Sequence, residues 1–332
     1  MTRSSTRMTR HARRIALIGL AALALPIAPA IAQDFPARPI RIMVPWAPGG
    51  NVDITARAIA PALSEILGQQ VVIENRPGAG GMIGSASVAK GAADGYTLLL
   101  GSSGTITVAP ALARNPSYDP IKDFALVGPI HSVPIVLTAS AKVPIRTYRE
   151  FLAQAQARPG QVSVASAGTG SSNHLAIELL GRQAGVKLNH IPYKGSGPAL
   201  TDLVGGQVDA MMDQLTASLP HIKEGRIRAL AVTSRQRSAQ QPDVPTLIEL
   251  GLPDYEVITF TGLFAPAGTP RPILDKLQAA LRQALARPAV RERFAGLGVD
   301  LIEPDYRAFE AYVQRDFANW RAVAREAGIT MD

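Results

Sequence analysis

Short β-type runs alternate with longer helical patterns along this chain, and that alternation is the strongest constraint on what it can fold into. The β-type runs fall at residues 40–44, 71–73, 97–100, 162–165, 210–213 and 227–232. Helices are expected at 52–67, 148–157, 175–184, 274–286 and 306–327, with Pro61 expected to kink or shorten the first. Strands separated by helices return in the same direction, so the expected class is α/β built on parallel sheets. Two stretches, 119–134 and 253–264, read as boundaries. If the chain crosses at both, residues 33–130 and 258–332 form one lobe and 131–257 the other, with a cleft between them.

One junction in the pattern carries chemistry. Pro45-Trp46-Ala47-Pro48-Gly49-Gly50-Asn51 follows the run at 40–44 and precedes a helical pattern, so strand, glycine turn and helix start succeed one another. Glycines let the backbone approach a ligand closely, and the free N–H groups of a first helical turn point at whatever fills the turn. That is an anion seat. A second one falls near Ser166 to Ser172, with Ser166, Gly168, Thr169, Gly170 and Ser171 as its candidate contacts.

Residues 1–32 read as an export leader. Arg3, Arg7, Arg10, Arg13 and Arg14 precede an apolar run that ends in Ala30-Ile31-Ala32, the basic, apolar, small-residue order of a cleaved signal peptide. Pro26 and Pro29 interrupt the run and no charged stop-transfer segment follows, so cleavage near Ala32 is expected rather than a membrane anchor. Arg13-Arg14 permits a twin-arginine route. The leader holds five of the 34 basic residues and none of the 26 acidic ones, which leaves 29 against 26, a balance of +3. No Lys/Arg cluster with interleaved aromatics remains, so nucleic acid is not an expected partner. The absence of cysteine excludes disulfides, thiolate catalysis and Cys-based metal sites.

Beyond the leader, the chain carries in order Val44-Pro-Trp-Ala-Pro-Gly-Gly-Asn-Val-Asp53, Glu74-Asn-Arg-Pro-Gly-Ala-Gly-Gly81, Gly95-Tyr-Thr-Leu98, Ala167-Gly-Thr-Gly-Ser-Ser-Asn-His-Leu175, Pro192-Tyr-Lys-Gly-Ser-Gly-Pro-Ala199, Pro220-His-Ile-Lys223 and Leu263-Phe-Ala-Pro-Ala-Gly-Thr269. In these motifs it resembles the periplasmic solute receptors of tripartite tricarboxylate transporters, the Bug family. The resemblance implies a two-lobed, Venus-flytrap α/β fold with mixed or parallel sheets flanked by helices. It further implies a monomer without cofactor or metal that closes on a small organic carboxylate and hands it to integral-membrane permease subunits. It assigns ligand contacts to Trp46, Ala47, Gly49, Gly50 and Asn51 in the first lobe and to Gly168, Thr169, Gly170 and Ser171 in the second. Ser102-Ser103-Gly104-Thr105, at the C-terminal end of the 97–100 run, adds hydroxyl donors where α/β sheets place ligands.

Several positions have a second reading. Gly49-Gly50 can serve only to turn the chain, with Asn51 or Asp53 as a helix cap. Trp46 is either core or cleft wall. The turn at 78–84 lacks the Lys-Ser/Thr of a phosphate loop and reads as a device for packing a helix on its sheet. Asp213 either faces the cleft or caps the next helix. Ser171 with His174 has the composition of a nucleophile and base, but both lie at one helix start, so a donor with a capping or packing partner is the simpler reading. Neither Gly-x-Ser-x-Gly nor His-Glu-x-x-His occurs, which argues against a periplasmic enzyme. A receptor that reports occupancy to a membrane sensor uses the same cleft and is the alternative to transport.

Overall fold

The computed structural model describes residues 35–303 and 305–327, so the expected leader lies outside the described residues. Strand β1 (Ile40–Val44) lies between β2 (Val71–Asn75) and β3 (Thr97–Ser102), parallel to both, with Ile42 opposite Ile73 on one side and Leu98 on the other. They run in one direction because helices α1 (Asn51–Leu67) and α2 (Met82–Ala89) make the return crossings. Helix α1 continues through Pro61 to Leu67 and is closed by Gly68 in the left-handed conformation, so the expected shortening does not occur.

The sheet is mixed rather than parallel throughout. β3 pairs antiparallel with β9 (Ile258–Pro266), and β9 pairs antiparallel with β4 (Phe124–Ser140). The two stretches that read as boundaries therefore hold the two longest strands. Pro129 and Pro134 obscured β4 in the sequence; Pro129 lies at one of the two bulges that face β9, and at Pro134 the strand changes partner, positions that tolerate a missing N–H. Up to Pro134 the strand pairs with β9; from Ile135 onward it pairs with β7 (Ala210–Gln214) and, from Val136, with β8 (Ile227–Val232). β7 continues in parallel to β5 (Ser163–Ser166) and β6 (Asn189–Pro192). The short β10 (Asp300–Leu301) pairs with β4 beside His131.

Thr233 fastens the exchange point. Its hydroxyl accepts the Ile135 N–H at 2.9 Å and donates to the Val257 carbonyl at 2.6 Å, and its own N–H donates to the Ile135 carbonyl at 3.0 Å.

The remaining helices are α3 (Ala109–Leu112), α4 (Tyr148–Ala157), α5 (Ser172–Ala184), α6 (Ser196–Gly205), α7 (Leu215–Lys223), α8 (Arg271–Ala286), α9 (Pro288–Gly296) and α10 (Tyr306–Ala327). They cover the sheet and bury its apolar side chains. Met43, Leu99, Phe260 and Phe264 pack with Phe309 and Val313 of α10, while Ile135, Leu137, Val164 and Met212 pack with Phe151 of α4 and Ile177 of α5. Helix α2 sits so close to the ends of β1 and β2 that a Cβ on Gly84 would meet the Arg76 carbonyl at 2.6 Å and Cα of Pro45 at 2.9 Å, the close packing expected of the turn at 78–84.

Candidate functional site

The turn after β1 is braced from inside. The Asp53 carboxylate accepts the Gly49 N–H, two guanidinium N–H groups of Arg57 and the Asn75 amide, each at 3.0 Å. Burial pushes the Asp53 pKa up, but these hydrogen bonds outweigh it and hold the group below its ordinary value. Asn75 also donates to the Trp46 carbonyl at 3.0 Å. The Gly49 N–H is thus spent on Asp53, and the Ala47 N–H is spent on the Lys194 carbonyl at 3.1 Å. No side chain caps α1, so its first-turn N–H groups, those of Asn51 and Val52 among them, face the pocket without an acceptor among the described residues.

The turn after β5 is also tied from inside. The Gly168 N–H donates to the Ser166 hydroxyl at 3.0 Å, and Ser166 meets Nε2 of His190 at 2.6 Å. The Gly170 N–H donates to Nδ1 of His174 at 3.2 Å, and the two imidazoles stack with centroids 4.1 Å apart. Ser171 caps α5: its hydroxyl donates to the Gly168 carbonyl at 2.7 Å and accepts the His174 main-chain N–H at 3.2 Å. Gly168 and Gly170 take φ values of +139° and +76°, which a side chain resists. Ser166, Gly170 and His174 therefore shape the loop from behind, and the donors expected from Gly168 and Gly170 point inward.

Between the two turns lies a pocket onto which four helices open. Gly50, Asn51 and Val52 bring α1, Ser171, Ser172 and Asn173 bring α5, Ser196 begins α6, and Gln214 precedes α7. Trp46, Ser102, Gly104 and Ala167 complete the lining, none of it charged. The space is narrow, about 20 Å³, enough for a water or a carboxylate oxygen. Helix starts carry partial positive charge, so such a pocket attracts an anion without a cation in it.

Trp46 resolves into both of its readings, since it is 7% exposed yet lines the pocket. Its ring edge fits between Gly81 and Gly104, where Cβ atoms would approach Cζ2 to 3.1 and 3.2 Å. Ser103 and Thr105 stand back from the lining. Ser103 accepts the Phe260 N–H at 2.8 Å, and Thr105 accepts that of Ser102 at 3.0 Å. Asp213 neither faces the pocket nor caps a helix through its N–H groups. It lies fully buried beneath, taking the Ser196 hydroxyl at 2.6 Å and the Asn173 amide at 3.2 Å, and burial pushes its pKa up to about 7.

Ser196, Asn173, Gln214 and Val52 were not expected at the site, and Ala167 and Ser172 lie within the second turn without having been named as contacts. Lys194-Gly195-Ser196-Gly197 has the same strand, glycine turn and helix order as residues 44–51 and was readable by the same rule. Asn173 and Gln214 exchange amide hydrogen bonds at 3.3 Å, a pairing that spacing does not reveal.

The profile of the tripartite tricarboxylate transporter family receptor, TctC, matches residues 55–329. The chain belongs to this family. The TctC receptor fold is shared with the solved periplasmic binding protein BugD, at 38% identity and a TM-score of 0.87 over 90% of this chain and all of that one. MatC (Rpa3494) from Rhodopseudomonas palustris, solved with bound malate, is 39% identical with a TM-score of 0.83 over 87% of this chain and 99% of its own. Rpa4515 of R. palustris, solved with adipate, is 35% identical with a TM-score of 0.85 over 90% and 99%. TctC proteins are receptors rather than enzymes, and the geometry at Ser171 agrees, because that hydroxyl meets the main chain of His174 and not its imidazole.

Proposed function

We propose that this TctC receptor works outside the cytoplasm, binds a small organic anion by a carboxylate seated among the four helix starts, and delivers it to the integral-membrane permease of a tripartite transporter. The observation that carries this reading is the convergence of α1, α5, α6 and α7 on one uncharged pocket. Malate in MatC and adipate in Rpa4515 support a carboxylate as the group recognised. The N–H groups of Asn51 and Val52 and the hydroxyl of Ser102 are the donors assigned to it, while Ser171 and Ser196, whose protons go to the Gly168 carbonyl and to Asp213, shape its walls. The leader at 1–32 directs export, in keeping with BugD as a periplasmic protein.

In this reading residues 33–130 with 258–332 form one lobe, 131–257 form the other, and the pocket is the cleft between them in a monomer. The partner exchange of β4 at Pro134 and Ile135, fastened by Thr233, supports a crossing there. Protein refolded free of ligand and screened by thermal shift against mono-, di- and tricarboxylates, acidic amino acids and aromatic acids tests the proposal. At 100-fold excess over Kd a true ligand adds about 2.7 kcal/mol of stability. A panel in which no acid raises Tm removes the function; an acid that binds without reducing the radius measured by small-angle scattering removes the closure.

A further inference from the structure

Ser196 is shared between the pocket and a buried acid. It lines the pocket at the start of α6, where a Cβ on Gly50 would come within 3.5 Å of its oxygen, and it spends its proton on Oδ1 of Asp213 at 2.6 Å. Asn173, another lining residue, gives its amide to the same oxygen at 3.2 Å. Asp213 is fully buried, so a single side chain separates it from an anion in the pocket.

No ion pair compensates that carboxylate among the described residues. It is reached by the hydroxyls of Ser196 and Ser218, the Asn173 amide and the Gln214 N–H. The titratable side chains of the surrounding elements are engaged or placed elsewhere. On α5, His174 pairs with Glu178 at 3.6 Å; on α6, Asp202 takes the Tyr193 hydroxyl; on α7, Lys223 meets Gln240. Arg182 and His221 lie in the last turns of α5 and α7, and His131 of β4 meets Thr55. Strand β5 carries no titratable residue.

Two carboxylates on either side of one hydroxyl cannot both be ionised and both be satisfied, because a hydroxyl has one proton to give and like charges repel strongly in a dry site. A proton on Oδ1 of Asp213 removes the conflict. The Asp213 O–H then donates to the Ser196 oxygen, and the Ser196 O–H turns from Asp213 to the pocket. A cavity of about 470 Å³ adjoins the pocket, shares Trp46 and Ala167 with it, and gives the proton a route.

We propose that this receptor takes up a proton together with its anion, and that Asp213 receives the proton through Ser196. One proton leaves the solvent for each carboxylate bound, and it is held on Asp213 and not on the ligand. The proposal rests on the carboxylate-receptor function above, and Asp213 is a positioning residue, since it acts on the anion through the Ser196 hydroxyl. Burial already pushes its pKa up to about 7, and an anion alongside pushes it higher, so uptake is expected above that pH and fades below it.

Calorimetric titration in buffers of different ionisation heat counts the protons, with the acid free of amino groups that raises Tm most in the panel above as the probe. Carboxylic acids ionise near about 4 and contribute no proton in this range. At about pH 8.5 close to one proton per acid is expected, falling toward zero at about pH 6, and Kd is expected to rise about ten-fold per pH unit at the alkaline end. Asp213→Asn, whose amide stands in for the protonated carboxyl, is expected to lose both the uptake and the slope. Infrared difference spectroscopy of the wild type needs no substitution. A protonated-carboxyl band is expected to rise on binding at alkaline pH and to stay in place when the acid is labelled with ¹³C. Absence of that band, no proton uptake by the wild type, or an uptake that Asp213→Asn leaves unchanged overturns the proton coupling while the receptor function stands. Failure of every acid to bind overturns the receptor function and the coupling with it.

Discussion

The Ser196 hydroxyl donates to Oδ1 of Asp213 at 2.6 Å, which ties a pocket-lining residue to a carboxylate that lies wholly beneath the pocket. Ser218 and Asn173 donate to the same group at 3.3 and 3.2 Å. Asp213→Ala strands these buried donors, and each unsatisfied group costs about 1–3 kcal/mol. Loss of both stability and ligand affinity is therefore expected, read by urea denaturation and calorimetry. An Asp213→Ala protein as stable as the wild type contradicts the role.

Two buried groups tilt the pH dependence of stability in opposite directions. His131 is fully buried, with Nε2 2.7 Å from the Thr55 hydroxyl, and burial lowers its pKa to about 3 from 6.5. The unfolded chain takes up that proton first, so His131 removes stability as pH falls from about 6.5 toward 3. Asp213, raised from 3.8 to about 7, holds its proton longer in the folded state and removes stability as pH rises across that window. Relative to wild type, His131→Gln should make the slope of stability against pH more negative between pH 4 and 6, and Asp213→Asn should make it more positive. Each change is at most about 1.4 kcal/mol per pH unit. Denaturant midpoints at four or five pH values decide the signs.

Gly197 allows the turn after β6 to meet the turn after β1, since a Cβ there would lie 2.1 Å from the Pro48 carbonyl oxygen. Gly197→Ala should leave most of the fold in place and hold these turns apart. Ligand affinity should fall at least ten-fold, with a larger radius in small-angle scattering at saturating ligand. Unchanged affinity and radius refute the requirement for contact.

The backbone seats make a parallel case. Gly49→Val and Gly170→Val place a β-branched side chain at φ values of +87° and +76°. Each should cost about 1–3 kcal/mol of stability and abolish measurable binding. Binding that survives in both moves the ligand elsewhere.

Trp46 lines both cavities, whereas Trp320 packs on α10 against Val108 and Leu112. In Trp320→Phe protein the remaining fluorescence should shift on ligand addition. Trp46→Ala should weaken planar acids more than short aliphatic ones. An unresponsive signal alongside calorimetrically confirmed binding places Trp46 in the core alone.

Local order was legible where each residue's own type decided the outcome. Periodicity located the helix Tyr148–Ala157 to the residue, and the structure shows why it starts there, in a capping box between Thr147 and Glu150. Glycine turns after strands located Trp46, Gly50, Asn51 and Ser171 at the pocket. What escaped depended on distant partners. The inward hydrogen bonds of Gly168 and Gly170 require Ser166 and His174 to sit behind the loop, and the place of Asp213 under Ser196 arises only when β7 and α6 pack. β4 was hidden because its prolines argue against a strand unless the bulges and the partner change are known.

The position of β9 also governs the order in which the molecule can assemble. It lies between β3 and β4, and its Thr259 reaches back 126 residues to the Val133 carbonyl. A growing chain must pass Ile258 before β3 and β4 are joined, so two long ladder edges stay unpaired through most of synthesis. Contacts this distant in sequence form slowly. Late arrival of the strand at the centre of the sheet keeps the two halves of the ladder open until Ile258–Pro266 has been made.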